Sequence, residues 1–267
     1  MKFGYCTGMS AKDPDGTGYE RIPLLKQMGY DFVELPLAQV MSLSEEAFAT
    51  GPLQLIKETG VPCLRMNSFI PGSYRLTGPN ADHYSTLEYA KAAMERAERL
   101  GAKVLVFGSS GARNRPLGTS LQQGLDQLAS LFTQLAPIAA SHGITIAIEH
   151  LNKLESNMIN RFLEGCALAR QLNDPCIGVL WDTYHMSLSD DSCTSVLNSG
   201  SLLQHVHVAR TLGRSLPCHG DDEDYGQVFE VLQHIGYDGT VSLEAVVRQD
   251  FEKEAAEALA VLKAFVE

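Results

Sequence analysis

The sequence is short of positive charge and of long apolar runs, and each shortage excludes a class of protein. Its 267 residues carry 21 Lys and Arg against 32 Asp and Glu, a net charge of -11, and the basic residues form no stripe. A surface of that sign repels phosphate backbones, so we expect no nucleic-acid partner. No apolar run is long enough to cross a bilayer, so we expect no membrane segment either.

We also expect neither a secretory leader nor disulfide-paired cysteines. Residues 1–10, MKFGYCTGMS, lead directly into an expected strand and lack the apolar core of a signal peptide. The six cysteines are scattered and include no C-x-x-C pair. We therefore interpret them as reduced thiols, mostly in the core, of a cytoplasmic protein.

One local pattern recurs along the chain: a helix, then a glycine, then a short strand rich in β-favouring residues. It occurs in KQMGYDFVELP, AERLGAKVLVFG, ASHGITIAIE and QHIGYDGTVSLEA. No linker or shift in composition divides the chain. About eight such strand–helix units predict an α/β fold, a (β/α)₈ TIM barrel in a single domain of residues 1–267. The alternative, an open doubly wound sheet, favours G-x-G-x-x-G after the first strand, which TGMSAKDPDGTG does not supply.

The predicted elements follow from this reading of the pattern. Strands are predicted over residues 2–6, 31–36, 61–67, 103–108, 144–149, 176–182, 203–209 and 240–245. Helices are predicted over residues 19–28, 44–59, 81–100, 120–142, 157–172, 192–197, 225–235 and 251–266. The segment SSGARNRPLG after the fourth strand is predicted to be a loop.

The last four predicted strands all end on a polar side chain. These residues are Glu149, Asp182, His207 and Glu244. A carboxylate at the end of a buried strand is costly unless something binds it, and all strands of a barrel end at one face. Three carboxylates and an imidazole meeting there predict one divalent metal ion, Mn²⁺ or Mg²⁺ with Co²⁺ also acceptable. The alternative interpretation is that they are solvated strand ends paired with Lys or Arg.

In the motifs around these strand ends, the sequence resembles the xylose-isomerase-like barrel superfamily. Within it, the sugar isomerase and epimerase branch that contains the D-tagatose (D-psicose) 3-epimerases is the most similar. The motifs are IEHLNKLESNMIN, LWDTYHM, HVHVA and GYDGTVSLEA, in that order. The resemblance implies that the four strand-end residues hold one ion, Mn²⁺ first. It also implies that Glu149 and Glu244 exchange protons with the sugar, and that the chain forms a dimer or tetramer.

The resemblance also implies a set of substrate contacts. Glu155 and His185 are expected to touch the sugar, and so is an arginine after the seventh strand. Arg214 is nearest to the family position but offset by one residue, and Arg210 is the other candidate.

Other polar residues are interpreted from their places along the strands and loops. Glu34 and Asn67, in the second and third strands, are expected to line the pocket. Arg113 is expected either to meet an anionic group of the substrate or to be solvated. His205 is expected to face the helices, and Trp181 to be part of the barrel wall.

The predicted site suits proton abstraction next to a carbonyl, because a cation stabilises the enediolate that results. Two carboxylates on opposite sides of the carbon can remove the proton from one face and return it to the other, which is epimerisation. Return of the proton to the neighbouring carbon is aldose–ketose isomerisation. Elimination or hydration of a 3-keto sugar or glycoside begins with the same step and stays open, as does a barrel that binds sugar without turnover. A zinc-dependent apurinic endonuclease is disfavoured, because strands three and four end on Asn67 and Gly108 where histidines would be expected. The sequence leaves the sugar itself undetermined.

Overall fold

The computed structural model describes residues 1–266 and confirms the predicted barrel. Its strands are all parallel and pair in chain order, with the eighth strand closing against the first. Their bounds are β1 Lys2–Cys6, β2 Phe32–Pro36, β3 Cys63–Asn67, β4 Val104–Phe107, β5 Thr145–Glu149, β6 Ile177–Asp182, β7 Leu203–Val208 and β8 Thr240–Leu243. Every predicted strand is present with only slightly different ends, because strands buried on both faces have a strong apolar pattern.

Helices cover the outside of the barrel. The α-helices of the described residues are α1 Ile22–Met28, α2 Leu37–Ser42, α3 Glu45–Thr50, α4 Pro52–Thr59, α5 His83–Leu100, α6 Ser110–Arg113, α7 Leu121–Ser141, α8 Phe162–Leu172, α9 Thr183–Ser187, α10 Tyr225–His234 and α11 Phe251–Lys263. Short 3₁₀ turns lie at Thr7–Ser10, Tyr19–Arg21, Cys193–Asn198, Gly200–Leu202 and Leu212–Arg214. The short helices α2, α6 and α9 lie in segments for which the sequence predicted no helix.

Four predicted helices differ from those observed. The helix predicted over residues 192–197 is the 3₁₀ turn Cys193–Asn198, and the one predicted over residues 19–28 begins as the 3₁₀ turn Tyr19–Arg21. The helix predicted over residues 44–59 is two helices, α3 and α4, because Gly51 leaves helical geometry and Pro52 begins a new first turn. The predicted cap at Ser44 is present, since its hydroxyl accepts from the Ala47 amide over 3.1 Å. The helix predicted over residues 157–172 begins only at Phe162, because Asn160 donates to two loop carbonyls instead.

The core confirms two further predictions. Trp181 is fully buried among the apolar side chains, as expected for the barrel wall. All six cysteines are free, and four of them are buried. None of the described helices combines the length and the apolar character that crossing a membrane requires.

Candidate metal centre

Four side chains from consecutive strands converge at the carboxyl end of the barrel. Glu149 and Asp182 are the last residues of β5 and β6, His207 lies near the end of β7, and Glu244 directly follows β8. His207 Nδ1 is 3.4 Å from Glu149 Oε1, 3.8 Å from Asp182 Oδ2 and 3.3 Å from Glu244 Oε2. One donor atom from each residue lies within 4.8 Å of all the others. The structure therefore brings together the four residues that the sequence predicted would meet.

Two buried atoms of this cluster lack a hydrogen-bond partner. Glu149 Oε1 and His207 Nδ1 are both shielded from solvent and bond to no other described group. Buried polar atoms are almost always satisfied, so two that face each other across 3.4 Å indicate a binding site. Oxygen-rich ligands with one imidazole suit Mn²⁺, Mg²⁺ or Co²⁺. The residues present therefore fit one divalent cation.

The three carboxyl groups have different electrostatic environments in the metal-free protein. Burial raises the pKa of Glu149 and raises that of Asp182 to about 6. Burial also disfavours the ionised form of Glu244, but the Arg214 guanidinium and the His207 imidazole outweigh it and hold its pKa well below the usual range. The pKa of Glu244 thus differs from that of Asp182 because the Arg214 guanidinium donates a hydrogen bond directly to Glu244, whereas it lies 3.8 Å from Asp182 Oδ2.

Arg214 closes one side of the cluster. Its guanidinium donates to Glu244 Oε2 and lies 3.8 Å from Asp182 Oδ2 and 3.7 Å from Glu155 Oε1. It also lies over the ring of Tyr184, 4.8 Å from the centroid. Arg214 itself has a left-handed φ of 46°, an unusual backbone geometry for a side chain that reaches a site.

Arg210, the other candidate arginine, lies elsewhere. Its Nε is 3.4 Å from Asp221 Oδ2, and its Nη1 is 3.6 Å from Cys218 Sγ. Of the two candidate arginines, Arg214 is therefore the one that borders the cluster.

Three more residues of the predicted pocket border the cluster. Asn67 donates its side-chain amide to Glu244 Oε1 over 2.9 Å, and its own Oδ1 has no partner within residues 1–266. His185 Nδ1 accepts from the Asn152 side chain over 2.9 Å. The other ring nitrogen of His185, Nε2, is buried 4.0 Å from Asp182 Oδ2 and has no hydrogen-bond partner among the described residues. Glu155 is partly exposed, with Oε1 3.9 Å from His185 Nδ1. Among the described residues, Asn67 Oδ1 and His185 Nε2 therefore lack a hydrogen-bond partner beside the cluster.

Glu34 and His205 do not lie where the sequence placed them. Glu34 does not line the pocket but lies fully buried beneath His207, with one carboxylate oxygen facing each of two histidines. The prediction that His205 faces the helices was wrong. Residues two apart on a strand share a face, so His205 points into the barrel together with His207.

Arg113 is neither solvated nor available to an anionic substrate. It is fully buried, and its guanidinium donates to the backbone carbonyls of Phe107, Glu149, Met158 and Ile159. The shortest of these bonds, 2.7 Å, holds the carbonyl of Glu149. Arg113 therefore ties the ends of β4 and β5 to the loop that follows β5.

Sequence reasoning missed two residues that shape the centre. Gly108, just after β4, leaves the space that the Glu149 carboxylate occupies. Asn152 supports His185 and also donates to Glu155 Oε1 over 3.2 Å. Asn152 lies in the same motif as Glu149, three residues later, and this position could have indicated that Asn152 lies near the centre.

Known proteins resemble the chain in sequence and in fold. A ketose 3-epimerase of Arthrobacter globiformis is 25% identical over 253 residues, 92% of this chain and 83% of that protein. A 3-dehydro-D-guloside 4-epimerase of Escherichia coli strain K12 is 26% identical over 251 residues, 88% and 90% of the two chains. The crystal structure of a D-allulose 3-epimerase from Methylomonas sp. superposes with a TM-score of 0.87 at 23% identity, covering 99% of this chain and 96% of that one. The similarity to this crystal structure shows the fold of the chain.

The family assignment rests on a match along nearly the whole barrel. The model of the xylose isomerase-like TIM barrel family matches residues 22–265. This range contains all four residues of the cluster and seven of the eight strands. The chain belongs to the xylose isomerase-like TIM barrel family.

Proposed function

We propose that this protein is a divalent-cation-dependent sugar epimerase that moves a proton at a carbon next to the carbonyl of a ketose. The observation that carries the proposal is the placement of Glu149 and Glu244. They come from strands that are not neighbours, and both approach the same atom, His207 Nδ1, at 3.4 Å and 3.3 Å. A sugar carbon held between two such carboxylates can lose a proton to one and regain it from the other, which is epimerisation.

Each residue around the cluster has a role that its contacts support. A cation, when bound, supplies positive charge that stabilises the negative charge developing on the sugar oxygen. Glu149 and Glu244 act as the acid/base pair, and Asn67 keeps Glu244 oriented through its 2.9 Å hydrogen bond. Arg214 and His185 offer donors toward the same space.

The finer assignments extend the same proposal. We assign Glu149, Asp182, His207 and Glu244 as the cation ligands and Mn²⁺ as the first choice of cation, with Mg²⁺ and Co²⁺ as alternatives. Glu155, His185, Arg214 and Asn67 form the sugar contacts. Six free thiols agree with a cytoplasmic location, and the family resemblance supports a dimer or tetramer.

The second candidate substrate is a 3-keto glycoside, acted on by epimerisation or by elimination. The similarity to a 3-dehydro-D-guloside 4-epimerase favours it. Two exposed leucines stand close in sequence to the proposed sugar contacts. Leu154 precedes Glu155 and Leu212 lies two residues before Arg214, with exposures of 91% and 69%. Exposed apolar surface of this kind suits a partner with an apolar portion, such as an apolar aglycone.

The test is proton exchange at carbon. The Mn²⁺-loaded protein is incubated in D₂O with D-fructose, D-tagatose, L-ribulose and a 3-keto glycoside, and label at carbon is followed by NMR. We expect exchange with at least one sugar, and its loss by at least about 1,000-fold in Glu149→Gln and Glu244→Gln. Glu88→Gln, which alters an exposed carboxylate paired with Lys91, is the control and should exchange like the wild type. Wild-type exchange in both site variants would rule the proposal out.

A further inference from the structure

A second polar layer lies directly below the metal centre. Glu34 Oε1 is 3.0 Å from His207 Nε2, and Glu34 Oε2 is 2.8 Å from His205 Nε2. All three side chains have no exposed surface. The two imidazole rings lie 4.9 Å apart and nearly perpendicular, on the same face of β7. One carboxylate thus joins two histidines inside the barrel.

The bond to Glu34 fixes which nitrogen of His207 faces the cation site. As a cation ligand His207 must be neutral and carry a single N–H. Because a carboxylate can only accept, that proton lies on Nε2 and points to Glu34. The lone pair is then on Nδ1, which has no other partner and stands 3.3 Å from Glu244 Oε2. Without Glu34 the ring could rotate or carry its proton on Nδ1, where it would block a cation.

His205 holds the other oxygen of Glu34 in a matched set of donors and acceptors. Arg65 Nε donates to Thr240 Oγ1 over 2.9 Å, and this hydroxyl is 2.7 Å from His205 Nδ1, to which it can donate. His205 Nε2 then donates to Glu34. The Thr240 carbonyl, also 2.9 Å from Nδ1, could accept only if Nδ1 carried the proton, and a neutral ring would then turn the lone pair of Nε2 toward the Glu34 carboxylate. Both oxygens of Glu34 therefore receive a proton donor.

A second cation between Cys6, Glu34 and His207 is the competing interpretation, since their ligand atoms are close enough to share one. The 3.0 Å separation of Glu34 Oε1 and His207 Nε2 is that of a hydrogen bond, whereas Cys6 Sγ is 3.9 Å from the same nitrogen. An ion there would also require His207 to lose both ring protons and bridge two cations. The hydrogen bond is the simpler arrangement.

We infer that Glu34 is a positioning residue for cation binding: it holds the His207 ring with Nδ1 toward the three carboxylates, while His205 holds Glu34 from below. The inference rests on the proposed function in taking His207 as a cation ligand. Carboxylates that orient a metal-binding histidine commonly contribute 10- to 100-fold to metal affinity.

The experiment compares Mn²⁺ binding by calorimetry in the wild type and three variants, each first treated with EDTA. Glu34→Ala should lower the affinity about 10- to 100-fold. Glu34→Gln keeps an acceptor for His207 Nε2 and should retain affinity within a few-fold. Ser242→Ala removes a hydroxyl that lies 3.1 Å from His205 Nε2 and forms no hydrogen bond with the described Glu34 or His207 side chains. It should bind Mn²⁺ like the wild type.

A second measurement does not depend on whether Glu34→Ala folds. Long-range ¹H–¹⁵N spectra of the wild-type protein saturated with diamagnetic Mg²⁺, labelled at histidine nitrogen, should show His207 protonated on Nε2 alone. A proton on Nδ1 instead would overturn the inference. So would a folded Glu34→Ala protein that binds Mn²⁺ as tightly as the wild type, or an equal loss in Ser242→Ala.

The two proposals can fail separately. Tight Mn²⁺ binding that depends on Glu34, without exchange on any sugar, would contradict the proposed function and leave the positioning role standing. Proton exchange on a sugar, together with Mn²⁺ binding that does not depend on Glu34, would support the proposed function and contradict the positioning role. A wild-type protein that binds no divalent cation would contradict both.

Discussion

Gly108 and Glu149 are fitted to each other at the ends of β4 and β5. A Cβ atom added at position 108 would lie 2.3 Å from Glu149 Oε2, closer than any side chain tolerates. Gly108 therefore keeps open the space in which this carboxylate reaches the cluster.

Gly108→Ala should displace the Glu149 carboxylate and weaken Mn²⁺ binding about 10-fold or more, because a ligand moved by about 1 Å no longer meets the ion at its preferred distance. Calorimetry measures the change. Gly165→Ala is the matched control. Gly165 lies within α8, and a Cβ atom added there meets its nearest neighbours at an ordinary contact distance of 3.7 Å, so this variant should bind Mn²⁺ like the wild type. Equal affinity in both variants would show that Glu149 is not a ligand.

Arg214→Gln should reduce sugar turnover about 100-fold or more, because Arg214 contacts Glu244 and faces the space where the sugar is proposed to bind. Arg210→Gln should change turnover only a few-fold, since Arg210 contacts Asp221 instead. Steady-state kinetics on the sugar identified by exchange separates the two. A larger loss for the Arg210 variant would reverse the assignment.

Removal of the cation should lower thermal stability. A ligand at 100 times its Kd stabilises the folded state by about 2.7 kcal/mol, which corresponds to a rise in Tm of roughly 5–10 °C for a chain of this size. Calorimetric scans of the EDTA-treated protein with and without Mn²⁺ measure the shift. Asp182→Asn should abolish most of it, whereas Asp126→Asn, at an exposed pair with Gln122, should keep it. A full shift in the Asp182 variant would exclude that residue as a ligand.

Arg113→Lys should destabilise the fold by roughly 3–5 kcal/mol, because an ammonium cannot supply the guanidinium's spread of donors to four buried carbonyls. Urea unfolding measures the loss. Arg161→Lys, at an exposed pair 3.7 Å from Asp190, should cost less than about 1 kcal/mol. Small losses in both variants would mean that the carbonyls find other partners.

The barrel and its four converging residues could be predicted because both depend on local patterns. A strand such as β5 can be recognised in the sequence from its run of apolar residues, and the charged residue Glu149 ends that run. In a closed parallel barrel all such ends meet at one face, so local order along the chain becomes proximity in space.

Other features had no comparable local pattern. Arg113 appears in a polar segment that resembles a solvated loop, yet the chain buries it among carbonyls from β4, β5 and the loop that follows. Glu34 and His205 become partners across strands that are distant in sequence. The error at His205 is different, because the alternation of side chains along β7 was sufficient to place it inside.

The sequence by itself determined the order of strands and helices and which residues end the strands, since both depend on the period of apolar residues and on glycine positions. Only the tertiary structure decided the partner of each buried polar group: Arg214 with Glu244, Glu34 with two histidines, Gly108 with Glu149. Hydrogen bonds and close contacts depend on distances below about 4 Å between segments far apart in the chain, and these distances exist only after the barrel has closed.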